Sequence, residues 1–107
     1  MRGEVTQGTF AAVRVYEGIN QRVGEETVRR VREGLIPLLR PVPGFVDYHL
    51  VEAGDGTWVS ISLFENRAGA DASTQTAGSW VRENLADLVQ AAPRVIAGEV
   101  RASSAGG

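Results

Sequence analysis

The feature that most constrains this chain is a β-hairpin pattern over residues 43–65, PGFVDYHLVEAGDGTWVSISLFE. At its centre, Asp55 and Gly56 form a pair that favours a type I′ turn, because both central positions of that turn have positive φ. Such a turn places Gly54 opposite Thr57. Counting outward from that pair predicts the further cross-strand pairs Leu50–Ile61, Tyr48–Leu63, His49–Ser62 and Val51–Ser60.

This register divides the hairpin into two faces, because successive side chains of a strand point to opposite sides of the sheet. One face is apolar and is predicted to form the core: Val46, Tyr48, Leu50, Val59, Ile61 and Leu63. The other mixes aromatic and polar groups: Phe45, Asp47, His49, Val51, Trp58, Ser60, Ser62 and Phe64. The mixed face is therefore expected to pack against something other than the core that buries the apolar face.

Composition excludes several classes of site. Among 107 residues there is no cysteine and one histidine, His49, so neither a thiolate site nor a multi-histidine metal site is expected in one chain. No glycine-rich phosphate loop or dinucleotide fingerprint is present, and no cofactor is predicted. A net charge of −2 offers no basic surface for nucleic acid or an anionic membrane. Without an apolar span or a signal peptide, a cytoplasmic location is the expectation.

The rest of the pattern predicts two helices and two more strands. Residues 9–16 alternate as a strand, and residues 94–102 read as the last strand. Between them, apolar residues at helical spacing define a first helix that Pro37 kinks or ends near Leu35. A second helical region starts after an Asn66 cap and is expected to break at Gly78 and Ser79, giving segments 67–77 and 80–91. One domain over residues 9–102 follows, with flexible ends at 1–8 and 103–107.

The order strand, helix, strand, strand, helix, strand predicts a ferredoxin-like α+β sandwich, with both helices on one face of an antiparallel four-stranded sheet. The helices are expected to cover the face of Val13, Leu50 and Ile61. The opposite, aromatic face would then be exposed in a monomer, and a second copy packed on it would bury it. The prediction is a homodimer; the alternative is a monomer with a wetted sheet face.

Three stretches carry a family resemblance across residues 10–101. They are PGFVDYHL leading into the hairpin, the step Phe64-Glu65-Asn66, and the alanine-rich helix that follows. With these the chain resembles the antibiotic biosynthesis monooxygenase superfamily, one branch of the dimeric α/β-barrel proteins. That superfamily includes cofactor-free oxygenases of polycyclic aromatics, heme-degrading enzymes and isomerases. The heme-degrading branch uses a histidine on the second helix, and this chain has none there.

Two residues are candidates for catalysis. His49, beside Asp47, could remove a phenolic proton from an aromatic substrate, or it could be a structural histidine at the dimer seam. Arg14, in the middle of the first strand, could hold a substrate oxyanion or an enolate. Alternatively, Arg14 forms an ion pair with Asp47 or Glu99.

The remaining candidates line a pocket between the sheet and the second helix. Trp58 and Phe64 could sandwich a planar ring, or they could be plain packing. Trp80, at the predicted helix break, could close the pocket mouth. The other lining groups are Tyr16, Asp47, Ser60 and Ser62.

The resemblance and this pocket imply a cofactor-independent monooxygenase acting on an aromatic or polyketide-like small molecule. Two alternatives stay open on the same scaffold. One is a non-catalytic dimeric barrel that binds a small hydrophobic molecule or serves a stress response. The other is an isomerase or cyclase that needs a base but no oxygen.

Overall fold

Four strands pair into one antiparallel sheet in the structure, a computed structural model that describes residues 9–104. They are β1 (Phe10–Tyr16), β2 (Phe45–Gly54), β3 (Thr57–Phe64) and β4 (Arg94–Glu99), in the spatial order β2-β3-β1-β4. This order confirms the predicted ferredoxin-like α+β fold, and within one chain the sheet is open rather than closed into a barrel. The predicted flexible ends, apart from the exposed residues Ser103 and Ser104, lie outside the described residues.

The first helical layer is longer than predicted. A 3₁₀ turn (Gln21–Val23) leads into α1 (Gly24–Arg30), a π-helical segment (Val31–Leu35) and α2 (Ile36–Leu39). The helix therefore does not end near Leu35 but continues to Leu39, and the π segment interrupts its α-helical geometry just before Pro37.

The π segment explains how the helix continues through Pro37. Proline has no N–H to donate, and its ring collides with the carbonyl four residues earlier in an α-helix. Here the N–H of Ile36 donates to the carbonyl of Val31, five residues back, so the helix is already widened before the proline. The buried residues Val31, Leu35 and Leu39 then follow a spacing of four, while Leu38 is 47% exposed.

Helix α3 (Arg67–Asn84) is continuous. Its predicted cap is confirmed, since Asn66 Oδ1 accepts from the N–H of Gly69 at 2.7 Å. The predicted break at Gly78 and Ser79 is wrong. A glycine inside a helix costs only about 1 kcal/mol, and the buried neighbours Ala77, Trp80 and Val81 hold the helix against the sheet and the first helical layer.

The hairpin turn is confirmed, but the predicted strand register is wrong. Asp55 and Gly56 have φ values of 55° and 79°, and Gly54 pairs with Thr57. Between Glu52 and Gly54, however, a β-bulge leaves Ala53 unpaired and shifts every pair beyond it by one residue. The observed pairs are Leu50–Ser60, Tyr48–Ser62, His49–Ile61 and Val51–Val59.

The shift exchanges the faces of β3. Trp58 and Phe64, predicted to lie on the exposed aromatic face, are 3% and 0% exposed beneath the helices. Phe64 packs edge-to-face on Phe45, with ring centroids 5.6 Å apart. The open face is aliphatic instead, and it includes residues predicted to be core: Val13, Val15, Val59, Ile61 and Leu63, with Asp47 and His49 at its margin.

Trp80, on α3, packs against the first helical region. A Cβ placed on Gly34 would lie 2.7 Å from Trp80 Cζ2, so the indole occupies space that only a glycine leaves free. Trp80 is 8% exposed and lies within α3, four residues before its last residue Asn84, rather than at a helix break. The predicted place of Trp80 at a pocket mouth is therefore wrong, because the indole is packed into the core.

Gly56→Ala tests the packing of the chain on the hairpin turn. Gly56 combines positive φ with a close contact, because a Cβ there would lie 2.6 Å from the carbonyl oxygen of Ile19. Gly18 has a similar φ of 77° and nothing within 4 Å of a built Cβ, so Gly18→Ala is the matched control. We expect Gly56→Ala to lower the free energy of unfolding by about 1–3 kcal/mol, more than the control, in urea titrations. Equal losses would show that the Ile19 contact adds nothing.

Candidate functional site

The helix-covered face of the sheet carries a buried polar cluster around Arg14. Arg14 is only 1% exposed, and its cross-strand neighbour on β3 is Ser60, which is 2% exposed. Ser62, two residues along β3 on the same face, is fully buried. Strand alternation brings these three side chains together between the sheet and the helices.

None of the polar atoms in this cluster has a hydrogen-bond partner among residues 9–104. They are Arg14 Nε, Nη1 and Nη2, Ser60 Oγ and Ser62 Oγ. Buried polar groups in folded proteins are almost always hydrogen-bonded, and an unpaired buried charge is strongly destabilising. This cluster is therefore a candidate ligand site.

The ion pairs considered for Arg14 are not formed. Asp47 lies on the open face, where its Oδ2 is 3.1 Å from His49 Nε2. Glu99 is exposed on the edge strand opposite Phe10. Arg14 thus has no carboxylate partner among residues 9–104.

Tyr48 adds a neutral hydroxyl to this side of the sheet. Burial raises the pKa of Tyr48 to about 12, while the nearby charge of Arg14 and the Ser60 hydroxyl act in the opposite direction. The phenol therefore stays protonated through neutral pH, which makes it a hydrogen-bond donor rather than a base.

A small cavity of about 20 Å³ lies beside the cluster, which is room for about one water molecule. Its polar wall includes Tyr48, Ser60 and Thr27, and its apolar wall includes Tyr16 and Trp58. A surface groove of about 470 Å³ runs between α3 and the segment leading to Pro93. Three side chains line both spaces: Tyr16, Val81 and Val89. The groove and the cavity therefore adjoin at these side chains.

The structure brings together most, but not all, of the predicted site residues. Five of them lie on the helix-covered face: Arg14, Tyr16, Trp58, Ser60 and Ser62. Of these, Tyr16, Trp58 and Ser60 line the cavity. Phe64 is on that face too, but it packs on Phe45 and lines neither the cavity nor the groove.

The predicted pairing of His49 with Arg14 in one pocket is wrong. His49 pairs with Ile61 on the open face, and the side chains of His49 and Asp47 are each 55% exposed. The cause is the bulge at Ala53, which keeps β2 in place but turns the other side of β3 toward the helices. Sequence reasoning also missed Tyr48 as a site residue, although its alternation with Leu50 placed it correctly under the helices.

Two further observations concern the described residues as a whole. No cluster of three or more His, Asp or Glu side chains there could hold a metal ion. No helix within residues 9–104 is long and apolar enough to cross a membrane.

Comparison with known families matches residues 10–79 to the model of the family described as antibiotic biosynthesis monooxygenase. The match spans more than half of the chain, and the protein belongs to that family. A comparison with curated protein sequences found no match.

Solved structures share the fold. The chain is similar to a monooxygenase from the gene ActVA-Orf6 of Streptomyces coelicolor, in complex with the ligand nanaomycin D, with a TM-score of 0.71 and 20% identity over 90% of each chain. It is also similar to the NE2512 protein of unknown function from Nitrosomonas europaea, with a TM-score of 0.70 and 19% identity over 91% of this chain and 93% of that one. At such identities the likeness shows the fold alone.

The raised pKa of Tyr48 predicts a pH-dependent loss of stability. Because the folded-state pKa of about 12 lies above the ordinary value of 10.0, the folded form holds its proton more tightly. Stability should be full below pH 10 and should fall between pH 10 and 12, by on the order of 2 kcal/mol. Tyr48→Phe should remove this part of the fall in urea titrations at pH 8, 10 and 11.5. An unchanged pH profile in the variant would show that Tyr48 ionises as freely as in water.

Proposed function

We propose that this protein is a cofactor-independent monooxygenase that oxidises a planar aromatic or polyketide-like small molecule. The observation that carries the proposal is the buried, unpaired guanidinium of Arg14 beside an aromatic-walled cavity. Membership of the antibiotic biosynthesis monooxygenase family and the likeness to a monooxygenase structure support the reaction class.

The reaction needs only the substrate and oxygen. A hydroxylated aromatic with an activated CH₂ group loses a proton to a water molecule and becomes a resonance-stabilised anion. That anion gives one electron to O₂, and the resulting radical and superoxide combine to form a C–O bond. The peroxide takes up a proton and loses water as the second C–H proton leaves, so that the carbon ends as C=O. One oxygen atom enters the product, the other leaves as water, and the substrate supplies all four electrons.

The protein's contribution is electrostatic. Arg14 stabilises the substrate oxyanion, which favours ionisation and lowers the barrier to electron transfer. Tyr48 stays protonated and donates a hydrogen bond from the same side. Tyr16 lines both the groove and the cavity, so a ring held in the groove packs against it, and Trp58 closes the apolar wall of the cavity behind it. His49, on the other face, is not required in this scheme.

Oxygen uptake with hydroxylated anthrones tests the proposal. Arg14→Met removes the charge while keeping much of the side-chain length, and should lower kcat by about a hundredfold. Arg29→Met is the control, since Arg29 forms exposed ion pairs with Glu26 and Glu33 on the helix surface. His49→Gln should turn over at the wild-type rate; a hundredfold fall would restore the predicted role of His49 as the base.

The same assay separates the alternatives. Product formation without oxygen uptake would favour an isomerase or cyclase. Tight binding of these compounds without any turnover would favour a non-catalytic binding protein. The predicted absence of a cofactor, the domain bounds and the cytoplasmic location stay predictions.

We also propose that a second copy covers the open sheet face. That face presents aliphatic side chains, including Val51 and Ile96, which are 43% and 52% exposed in the single chain. A continuous apolar sheet face of this kind is typical of an interface, and a twofold axis would bury it against its own copy. The homodimer through the open sheet face is thus proposed again, with an aliphatic rather than an aromatic interface.

Ile61→Asp tests this interface, because it places an unpaired charge at the centre of the open face. Sedimentation equilibrium at micromolar concentration should give twice the chain mass for the wild type and a shift toward the monomer for the variant. Leu38→Asp is the control, because Leu38 is 47% exposed on the helical layer. A wild-type monomer, or equal effects of both variants, would contradict the proposed dimer.

A further inference from the structure

We infer that Arg14, Ser60 and Ser62 form a recognition site for a planar monoanion that presents two neighbouring oxygen atoms, such as an ionised hydroxyquinone or an aromatic carboxylate. The inference rests on the proposed function in placing the ligand in the same cleft. It goes further by specifying the charge of the ligand and the two oxygen atoms that Arg14 binds.

The charge of the ligand follows from the local balance of charges. Arg14 brings one positive charge into the interior, and no carboxylate of residues 9–104 pairs with it. Glu52 shares the helix-covered face, but it is exposed at the far end of β2, beside Gly24. A neutral ligand leaves the buried charge uncompensated, and a dianion adds a second unpaired charge. A single negative charge restores the balance.

The two oxygen atoms follow from the donors. All three guanidinium nitrogens of Arg14 are unpaired, and the guanidinium fork binds two neighbouring oxygens through parallel hydrogen bonds. Ser60 and Ser62 stand two residues apart on one face of β3, and their hydroxyls can donate from the side. A carboxylate, or the adjacent oxygens of an ionised hydroxyquinone, presents acceptors that match this set.

The planar apolar part of the ligand follows from the surrounding space. The groove of about 470 Å³ is mainly apolar, and it shares the lining residues Tyr16, Val81 and Val89 with the small cavity. A ring system held in the groove lies against side chains that also line the small cavity beside Ser60. Arg82 also lines the groove, but it is exposed and donates to Ser79, so water screens its charge.

Binding measurements with matched probes test the inference. The anionic probes are 2-hydroxy-1,4-naphthoquinone and 1-naphthoate at pH 7; the neutral counterparts are 1,4-naphthoquinone and 1-naphthamide. Isothermal titration without turnover should give the wild type at least about a tenfold preference for each anion over its neutral counterpart. A preference confined to one pair would identify which of the two oxyanions the site takes.

Four variants locate the source of that preference. Arg14→Met should abolish it and leave the affinity for neutral probes largely unchanged. The double variant Ser60→Ala with Ser62→Ala should weaken it severalfold. Arg29→Met and Arg82→Met should keep it. Wild-type protein that binds both members of each pair equally would overturn the inference, as would loss of the preference in Arg82→Met but not in Arg14→Met.

These outcomes are distinct from failure of the proposed function. A charge preference that depends on Arg14, found without any oxygen uptake, supports the recognition site and contradicts the proposed monooxygenase activity. Rapid oxygen uptake with no preference for the anion supports the oxygenase and overturns the recognition site.

Discussion

One unpaired residue, Ala53, decides which side of the hairpin faces the helices. The bulge there pairs Leu50 with Ser60 instead of Ile61. The bulge thereby determines which side chains of both β3 and β1 face the helices, because these two strands are paired in a regular antiparallel register. Trp58, Ser60 and Arg14 turn inward together, and an aliphatic face turns outward.

The bulge could not be predicted from local sequence because its local signal, Gly54 with a φ of 96°, is equally expected beside a tight turn. Its energetic basis lies elsewhere in the fold. Large aromatic side chains gain the most from burial, and the shifted register places Tyr16, Trp58 and Phe64 in the core. One lost backbone pair is a small cost beside that gain. The turn itself was predictable, because positive φ at Asp55 and Gly56 is a strictly local demand.

The same contrast runs through the helices and the site. Asn66 was predictable as a cap because its side chain satisfies its own helix. The helices continue through Pro37 and Gly78 because they pack against each other and the sheet, and propensity rules for single residues do not include such packing. Arg14, Tyr16, Trp58, Ser60 and Ser62 were predicted to share a face, and they do. One error concerned what encloses these residues, because the helices cover them rather than a second copy of the chain. The other was to add His49 and Asp47, which lie on the opposite face.

The bulge at Ala53, the irregularity between Phe45 and Asp47, and the π segment have one property in common. Each accommodates one residue more than regular geometry allows, two in a strand and one in a helix. Solved structures of 19–20% identity share this fold, and any of them that lacks one of these extra residues must be aligned with a single-position gap there. An alignment that puts the gap on the wrong side of Ala53 would exchange interior and exterior positions of a whole strand. Functional residues can therefore be transferred between members of this family only by superposing strands, never by counting along the chain.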